Sequence, residues 1–187
     1  MVKPRPVVTP PSSPLKPTLR EFVELVKEDW CANGRTVRMP GFQALFAYRL
    51  GVYRRTIRIG LLRKPMTLLS RALRRRARNV LSIELSDTAH IGRRVRIIHQ
   101  GAIVIHPYAV IGDECWIRQG VTLGTGVDWD KDDKPTLGRD VRIGVGAVLA
   151  GSFVVGDGAR IGPNTVVTTD VPEGAVVMPP HPRVFRQ

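Results

Sequence analysis

Aliphatic side chains recur at every sixth residue through most of the C-terminal half of the chain. A period of six fits neither a helix, with about 3.6 residues per turn, nor a simple alternating strand. It is typical of a parallel β-helix, in which each hexapeptide forms one flat side of a coil and its aliphatic residue fills the axis. The positions are Leu85, Ile91, Ile97, Ile105, Ile111, Ile117, Leu123, Leu137, Ile143, Leu149, Val155, Ile161 and Val167.

Two departures interrupt the period. The step from Ile97 to Ile105 is eight residues long, so two extra residues lie beside His99. Between Leu123 and Leu137 an inserted polar loop, 124–136, carries four aspartates. Insertions in a regular solenoid usually mark its functional face, so both segments are candidate parts of a site. We expect the loop to cover an acceptor cleft; its aspartates are Asp128, Asp130, Asp132 and Asp133.

The N-terminal part of the chain has a different pattern. Residues 1–17 hold six prolines and few apolar anchors, which predicts a disordered or extended arm. A basic helical region follows over 18–80, in which the Thr18–Glu21 capping box opens the first helix. Further helices are predicted over 42–62 and, after Pro65, over 66–80. The fold class is therefore mainly β: a β-helix over 81–172 with a short α-helical N-terminal region, followed by a tail over 173–187.

The chain is strongly basic, with a formal charge of +13, and ten Lys or Arg side chains lie between Arg54 and Arg78. This stretch is either a solvated helical surface or a contact with an anionic membrane face. We expect no nucleic-acid partner, because zinc-finger spacing, aromatic RNA-binding strands and a basic zipper are all missing. With no secretory signal, no run of about 20 apolar residues and only two cysteines, a cytoplasmic protein is expected.

Three interpretations of His99 are open from the residues alone. It is a core histidine, a metal ligand together with His90 and His106, or a catalytic base, since an imidazole titrates near neutral pH. His90 and His106 are more readily placed at the surface or in a cleft, and no metal is expected. Cys115 occupies a core position of the repeat, which predicts structural burial.

With the repeats placed, about three quarters of the chain resembles the serine O-acetyltransferases and the related exopolysaccharide (colanic-acid-type) O-acetyltransferases. The most specific matches are "GFQALFAYRLG" (41–51) and "HIGRRVRIIHQGAIVI" (90–105). The resemblance implies a left-handed parallel β-helix, a homotrimer with active sites between subunits, and acetyl-CoA as the co-substrate. The remaining matches are "IRQGVTLGTG" (117–126), "PTLGRDVRIGVGAVLAG" (135–151) and "VVGDGARIGPNTVVTTDVPEGA" (154–175).

The resemblance also assigns site residues. His99 matches the family's general base, and Glu84 matches the carboxylate that orients the imidazole, although the serine enzymes usually have Asp there. Such a carboxylate fixes the tautomer of the base and stabilises the imidazolium that forms. The positions that match the CoA groove are Gly124, Thr125, Gly144, Val145, Gly146, Arg160, Gly162 and Pro163.

The sequence departs from the serine enzymes where these hold the amino acid. Ile98 stands in place of an Asp before the base, and Asp133 and Lys134 stand in place of an Arg-His pair. The expected function is a serine acetyltransferase-like transfer of acetyl from CoA to a hydroxyl. An alternative acceptor is an exopolysaccharide or its lipid-linked precursor, acetylated at the inner membrane face. A non-catalytic trimeric scaffold is a remoter alternative.

Overall fold

A computed structural model describes residue 6 and residues 8–126 and 133–181. Its C-terminal part is a parallel β-solenoid of about four turns, which confirms the predicted fold class. Each turn places one short strand in each of three sheets. Face A contains β1 (Ile83–Leu85), β4 (Ile103–Ile105), β7 (Thr122–Gly124), β10 (Val148–Ala150) and β13 (Val166–Val167). Face B contains β2 (His90–Ile91), β5 (Val110–Ile111), β8 (Thr136–Leu137) and β11 (Val154–Val155). Face C contains β3 (Arg96–Ile98), β6 (Trp116–Arg118), β9 (Arg142–Ile143), β12 (Arg160–Ile161) and β14 (Val176–Val177).

The aliphatic repeat forms the core of the solenoid. All thirteen repeat positions from Leu85 to Val167 are buried. Equivalent residues stack directly in register, as Ile97, Ile117 and Ile143 do on face C. Each such side chain removed from water contributes roughly 1.5–3 kcal/mol. The six-residue period is therefore the main source of the stability of the solenoid.

Glycine after the aliphatic residue is required where successive coils turn the same corner. A Cβ added at Gly112 would lie 2.3 Å from the carbonyl oxygen of Gly138 in the next coil. Backbone cannot move aside as a flexible side chain can, so any larger residue would separate the two coils.

Three helices precede the solenoid: α1 (Leu19–Ala32), α2 (Pro40–Tyr53) and α3 (Gly60–Leu81). The predicted capping box of α1 is present, since the Glu21 N–H donates to Oγ1 of Thr18 and the Thr18 N–H donates to the Glu21 carboxylate. The helix α2 is largely buried, and Arg49 within it forms a buried ion pair with Asp29 of α1.

The predicted boundary between the second and third helices is wrong. The helix predicted over 42–62 ends at Tyr53, and after a 3₁₀ turn α3 begins at Gly60 and includes Pro65. The physical reason is tertiary. Arg54 and Arg55 both reach the buried carboxylate of Asp87, at 2.8 and 3.1 Å, and this cluster stops the helix.

Of the two alternatives expected for the N-terminal arm, disordered or extended, residues 8–17 show the extended one and follow the edge between faces B and C. The N–H of Thr9 donates to Asp157 (2.9 Å), the N–H of Ser12 donates to Asp113 (3.0 Å), and the buried Ser13 hydroxyl donates to the carbonyl of Ile91 (2.5 Å). Hydroxyl residues among the prolines thus bind corner carboxylates that the sequence alone did not pair with them.

Two further segments bear on the predicted organisation. The strand β14 adds to face C beyond residue 172, where the predicted β-helix ends. The Asp-rich loop is described only at its two ends, where the N–H of Gly126 donates to the carboxylate of Asp133 (2.6 Å). Asp128, Asp130 and Asp132 lie outside the described residues.

Candidate active site

His99 lies at the corner between faces C and A of the first coil. The eight-residue step is accommodated there by a bulge in which His99, Gly101 and Ala102 have φ values of 65°, 114° and 51°. Left-handed backbone at residues other than glycine is uncommon and concentrates at functional sites. The His99 side chain is exposed and borders a pocket of 260 Å³ between this corner and the α1–α2 connection.

The α1–α2 connection holds the strand that leads into His99. The buried Asn33 side chain donates from Nδ2 to the carbonyl of Val95 (2.9 Å) and accepts at Oδ1 from the N–H of Ile97 (3.0 Å). Gly41 closes against the same strand, because a Cβ there would lie 2.3 Å from the carbonyl oxygen of Ile97. The sequence carries one signal at Asn33, an Asn-Gly dipeptide, which is typical of a turn and assigns the side chain no role in a site.

We call the corner between faces C and A, at residues 99–102, 119–121, 144–147 and 162–165, the C–A edge. A backbone ladder runs along it. The N–H of Gly120 donates to Gly101 (2.8 Å), that of Gly146 to Gln119 (3.0 Å) and that of Asn164 to Val145 (2.8 Å). Five predicted CoA-binding residues therefore stack in line with His99: Gly144, Val145, Gly146, Gly162 and Pro163.

The other three predicted CoA-binding residues lie elsewhere in the chain. Gly124 ends β7 on face A, beside Ala150 of β10, and Thr125 follows it. Arg160 turns toward the opposite side of face C. Its guanidinium binds the carboxylate of Asp140 (2.9 Å) and the carbonyl oxygens of Asp140 and Gly158 (2.5 and 2.7 Å). The described subunit thus brings five of the eight predicted residues to one edge.

Glu84 is the middle residue of β1 on face A, paired in register with Val104 of the strand that follows the His99 bulge. Its side chain is exposed and borders a groove on α3. Within the described part of the chain, neither Glu84 nor His99 makes a side-chain hydrogen bond or ion pair. Glu84 and His99 therefore lie near the two ends of the first coil but are not joined within one subunit.

The remaining candidate residues, Cys115, His106 and His90, are part of the packing and hydrogen bonding of the fold. Cys115 is buried as predicted; burial raises the pKa of its thiol to about 12. His106 was expected at the surface or in a cleft, but it is 4% exposed, because it belongs to the corner that packs under β7. The His90 ring bonds to the carbonyl of Ser13 (2.9 Å). Among the described residues, no three His, Cys, Asp or Glu side chains are grouped to hold a metal ion.

The comparisons with known proteins agree with this architecture. The family described as bacterial transferase hexapeptide (six repeats) matches this chain over residues 134–169. The serine acetyltransferase of Helicobacter pylori strain J99 is 38% identical over 139 residues, which are 74% of this chain and 77% of the relative. The crystal structure of serine acetyltransferase isoform 3 from Entamoeba histolytica, in complex with cysteine, has a TM-score of 0.71 at 26% identity. That match covers 89% of this chain, which spans only 61% of the Entamoeba chain.

A second solved structure, serine acetyltransferase from Brucella abortus in complex with coenzyme A, has a TM-score of 0.72 and covers 88% of this chain and 68% of that one. At 23% identity, this likeness shows the fold alone. The repeat solenoid and its relatives define the class as a hexapeptide-repeat acyltransferase. Within that class, the chain belongs to the serine acetyltransferase family.

Proposed function

We propose that the chain transfers the acetyl group of acetyl-CoA to the hydroxyl of L-serine, with His99 as the general base. The observation that carries this proposal is the position of His99. Its bulged corner opens onto a pocket and continues into the glycine-lined C–A edge. The name of the Helicobacter relative supports serine as the acceptor.

In this proposal the imidazole of His99 takes the proton of the acceptor hydroxyl while the hydroxyl oxygen attacks the thioester carbonyl carbon. The C–S bond then breaks, and the CoA sulfur receives the proton from the imidazolium. Glu84 orients the ring and stabilises its charge, as the carboxylate does in a hydrolase triad. Such hydrogen bonds are often long without substrate and tighten only in the complex, which is compatible with the unpaired Glu84.

The C–A edge suits the pantetheine arm of CoA because small residues keep successive coils close together, so that an extended ligand can follow the edge. A Cβ at Gly144 would lie 2.6 Å from the backbone nitrogen of Pro163 in the next coil. Gly124, Thr125 and Arg160 lie away from this edge, so in our proposal they reach CoA from a neighbouring subunit of a homotrimer. Exposed valines on face A, including Val104 and Val166 (67% exposed), support contact with a second copy.

A second acceptor, a glycan or its lipid-linked precursor, is favoured by the composition of the pocket beside His99. The described residues that line it include Asn33, Met39, Arg96 and Ile98 but no carboxylate. An amino acid's ammonium group needs such a partner when it is removed from water. A neutral or anionic acceptor needs none, so the pocket fits a sugar hydroxyl at least as well as serine.

The test is thiol release from acetyl-CoA with a panel of acceptors that includes L-serine and hexoses. We expect turnover with L-serine, and His99→Ala lowers it by about 10²–10⁴-fold, the usual contribution of a general base. His181→Ala, an exposed histidine in the C-terminal segment, is the matched control and keeps wild-type turnover. If no acceptor gives His99-dependent thiol release and the protein does not bind CoA, the chain is a scaffold rather than an enzyme.

We also propose that the protein is cytoplasmic and contacts the inner face of the membrane at its surface. No helix in the described part of the chain has the length and apolarity needed to span a bilayer. Leu61 and Leu68 on α3 are 84% and 72% exposed, with Lys64 and Arg71 close by in the helix. Exposed apolar and basic side chains of this kind suit the interface of an anionic bilayer. Co-sedimentation with anionic but not neutral vesicles tests this proposal.

A further inference from the structure

Four arginines of α3 line a groove of 330 Å³ against the first two strands of face A. They follow one another at helical spacing, so their side chains share one face of the helix. The opposite wall is largely apolar and includes Leu85, Ile105 and Pro107. We call this feature the arginine groove; its basic residues are Arg71, Arg74, Arg75 and Arg78.

Carboxylates do not balance the charge of the arginine groove. The nearby Asp87 is buried and already binds Arg54 and Arg55 as well as Arg74, the last at 2.7 Å. Among the described residues, Arg71 and Arg75 form no ion pair. The one carboxylate in the lining is Glu84, which is exposed and has no partner in the described part of the chain.

Several arginines of the solenoid are paired instead, although Arg96 and Arg118 form no ion pair among the described residues. Arg93 and Arg94 bind Glu28, and Arg139 binds Glu114 (3.1 Å). Arg160 binds Asp140 (2.9 Å). Like charges three and four residues apart destabilise a helix, so the cluster on α3 does not serve helix stability. An unbalanced cluster inside a concave groove is instead the arrangement expected of an anion site.

We propose that the arginine groove binds the phosphate or diphosphate group of an organic ligand. The planar guanidinium group donates two parallel hydrogen bonds to phosphate oxygens, and neighbouring arginines suit the two adjacent phosphates of a diphosphate. Glu84 lines the groove and is also the proposed orienting residue of the candidate active site. Because β1, which contains Glu84, has three residues and spans only about 10 Å, the groove and the active site lie close together. A ligand anchored by its diphosphate in the groove would extend its hydroxyl-bearing part along face A toward His99.

The identification of this ligand as the acetyl acceptor rests on the proposed function. The binding of its phosphate group in the groove does not, because it can be measured without turnover. Calorimetry with inorganic diphosphate tests the binding. It is performed with saturating CoA, so that any site for the diphosphate of CoA is already filled. We expect one site per subunit in the wild type, and a roughly tenfold or greater loss of affinity in Arg71→Gln/Arg75→Gln.

The matched control is Arg63→Gln/Arg76→Gln, which removes the same charge from exposed positions of α3 outside the groove. It retains diphosphate binding if the groove is the site. Equal losses of diphosphate affinity in both double variants would show that only the net charge of the protein matters, and would overturn the proposal. The proposal also fails if the groove variant retains its affinity or if CoA displaces the diphosphate.

Two further measurements distinguish the source of the phosphate. A nucleoside diphosphate represents a soluble ligand, and vesicles with phosphatidylglycerol represent a lipid headgroup. Selective loss of nucleoside diphosphate binding in the groove variant supports a built phosphate site. If the protein binds the vesicles but neither inorganic diphosphate nor the nucleoside diphosphate, the phosphate site is contradicted and the groove is a membrane-contact surface. If the wild type binds diphosphate but releases no thiol, only the proposed function is refuted. If it releases thiol but does not bind diphosphate, only the proposed phosphate site in the arginine groove is refuted.

Discussion

Two edges of the same solenoid share a backbone but differ in what covers it. We call the corner between faces B and C the B–C edge; it comprises residues 92–95, 112–115, 138–141 and 156–159. Backbone N–H groups donate from each coil to the preceding one along this edge, as they do along the C–A edge. On the B–C edge Asp113 and Asp157 each accept a corner N–H, and the N-terminal arm binds over both. None of the hydrogen bonds of the described arm residues reaches the C–A edge.

The left-handed corner residues make the difference explicit. On the B–C edge they are Gly158 in the last coil and, in the coils before it, Arg94, Glu114 and Asp140, with φ values of 55°, 63° and 49°. Left-handed backbone costs such residues roughly 1–2 kcal/mol each, which their ion pairs offset in part. On the C–A edge Gly120 and Gly146 hold the same position without that cost, whereas Asn164 holds it in the last coil with a φ of 53°. The corner side chains therefore distinguish the two edges in the middle coils, and the arm covers only one of them.

The largest expected effect comes from deleting His99 and Gln100. The deletion restores a six-residue step and makes the first C–A corner equivalent to its neighbours. We expect turnover to fall by about 10²–10⁴-fold, as for loss of the base, while the thermal unfolding midpoint is maintained. A large fall in that midpoint would show that the bulge is structural and contradict its assignment to the site.

A smaller effect is expected from adding a side chain between two coils at the C–A edge. In Gly144→Ala the new methyl would lie 2.6 Å from the backbone nitrogen of Pro163, so we expect a loss of about 1–3 kcal/mol in the free energy of unfolding and a higher KM for acetyl-CoA. Denaturant unfolding and steady-state kinetics measure the two effects. Gly60→Ala is the control, since nothing lies within 4 Å of its new methyl. An unchanged KM for acetyl-CoA in Gly144→Ala would separate this edge from CoA binding.

Removing the arm's hydroxyls tests the B–C edge. Thr9→Ala/Ser12→Ala is expected to lower the free energy of unfolding by about 1–2 kcal/mol at pH 7 without changing turnover. Ser152→Ala/Thr169→Ala removes the same two kinds of side chain at exposed positions and serves as the matched control. Equal losses in both variants would contradict a specific role of the arm.

The same variant makes a prediction about pH. Burial acts to raise the pKa of Asp113 and Asp157, but hydrogen bonds from Ser12 and Thr9 outweigh it and hold each pKa below its usual range. A lowered pKa stabilises the folded state above the unfolded value, about 3.9, and this stabilisation is lost as the pH falls through the folded pKa. The difference between wild type and Thr9→Ala/Ser12→Ala therefore shrinks below about pH 4. A difference that is constant from pH 7 to pH 3 would contradict the role of the carboxylates.

The smallest expected effect concerns Cys115, on the inner side of the B–C edge. Its buried thiol, with a pKa of about 12, is expected to resist iodoacetamide at neutral pH, while the exposed Cys31 reacts. Mass spectrometry of the labelled protein distinguishes the two. Rapid labelling of Cys115 in Cys31→Ser would show that this edge opens in solution.

Much of the solenoid could be predicted because the repeat is self-similar. Ile97, Ile117 and Ile143 each stack on copies of themselves, so local spacing already determines the contact. The bulge at His99 was predictable for the same reason, as a break in a known period. The helix boundary at Tyr53 was not, because it depends on Asp87, more than thirty residues further along the chain.

The candidate site divides in the same way. The sequence by itself determined the six-residue core, the exposed histidine at the long step and the glycines of the C–A edge, since each is a property of spacing within one repeat. Only the tertiary structure decided that Asn33 holds the strand before His99, that Arg160 binds Asp140, and that Arg71 and Arg75 line a groove together with Glu84. The first two are contacts between residues far apart in the chain, and a charged or polar side chain pairs with whichever partner the fold brings within about 3 Å. The groove exists because α3 packs against the first strands of face A.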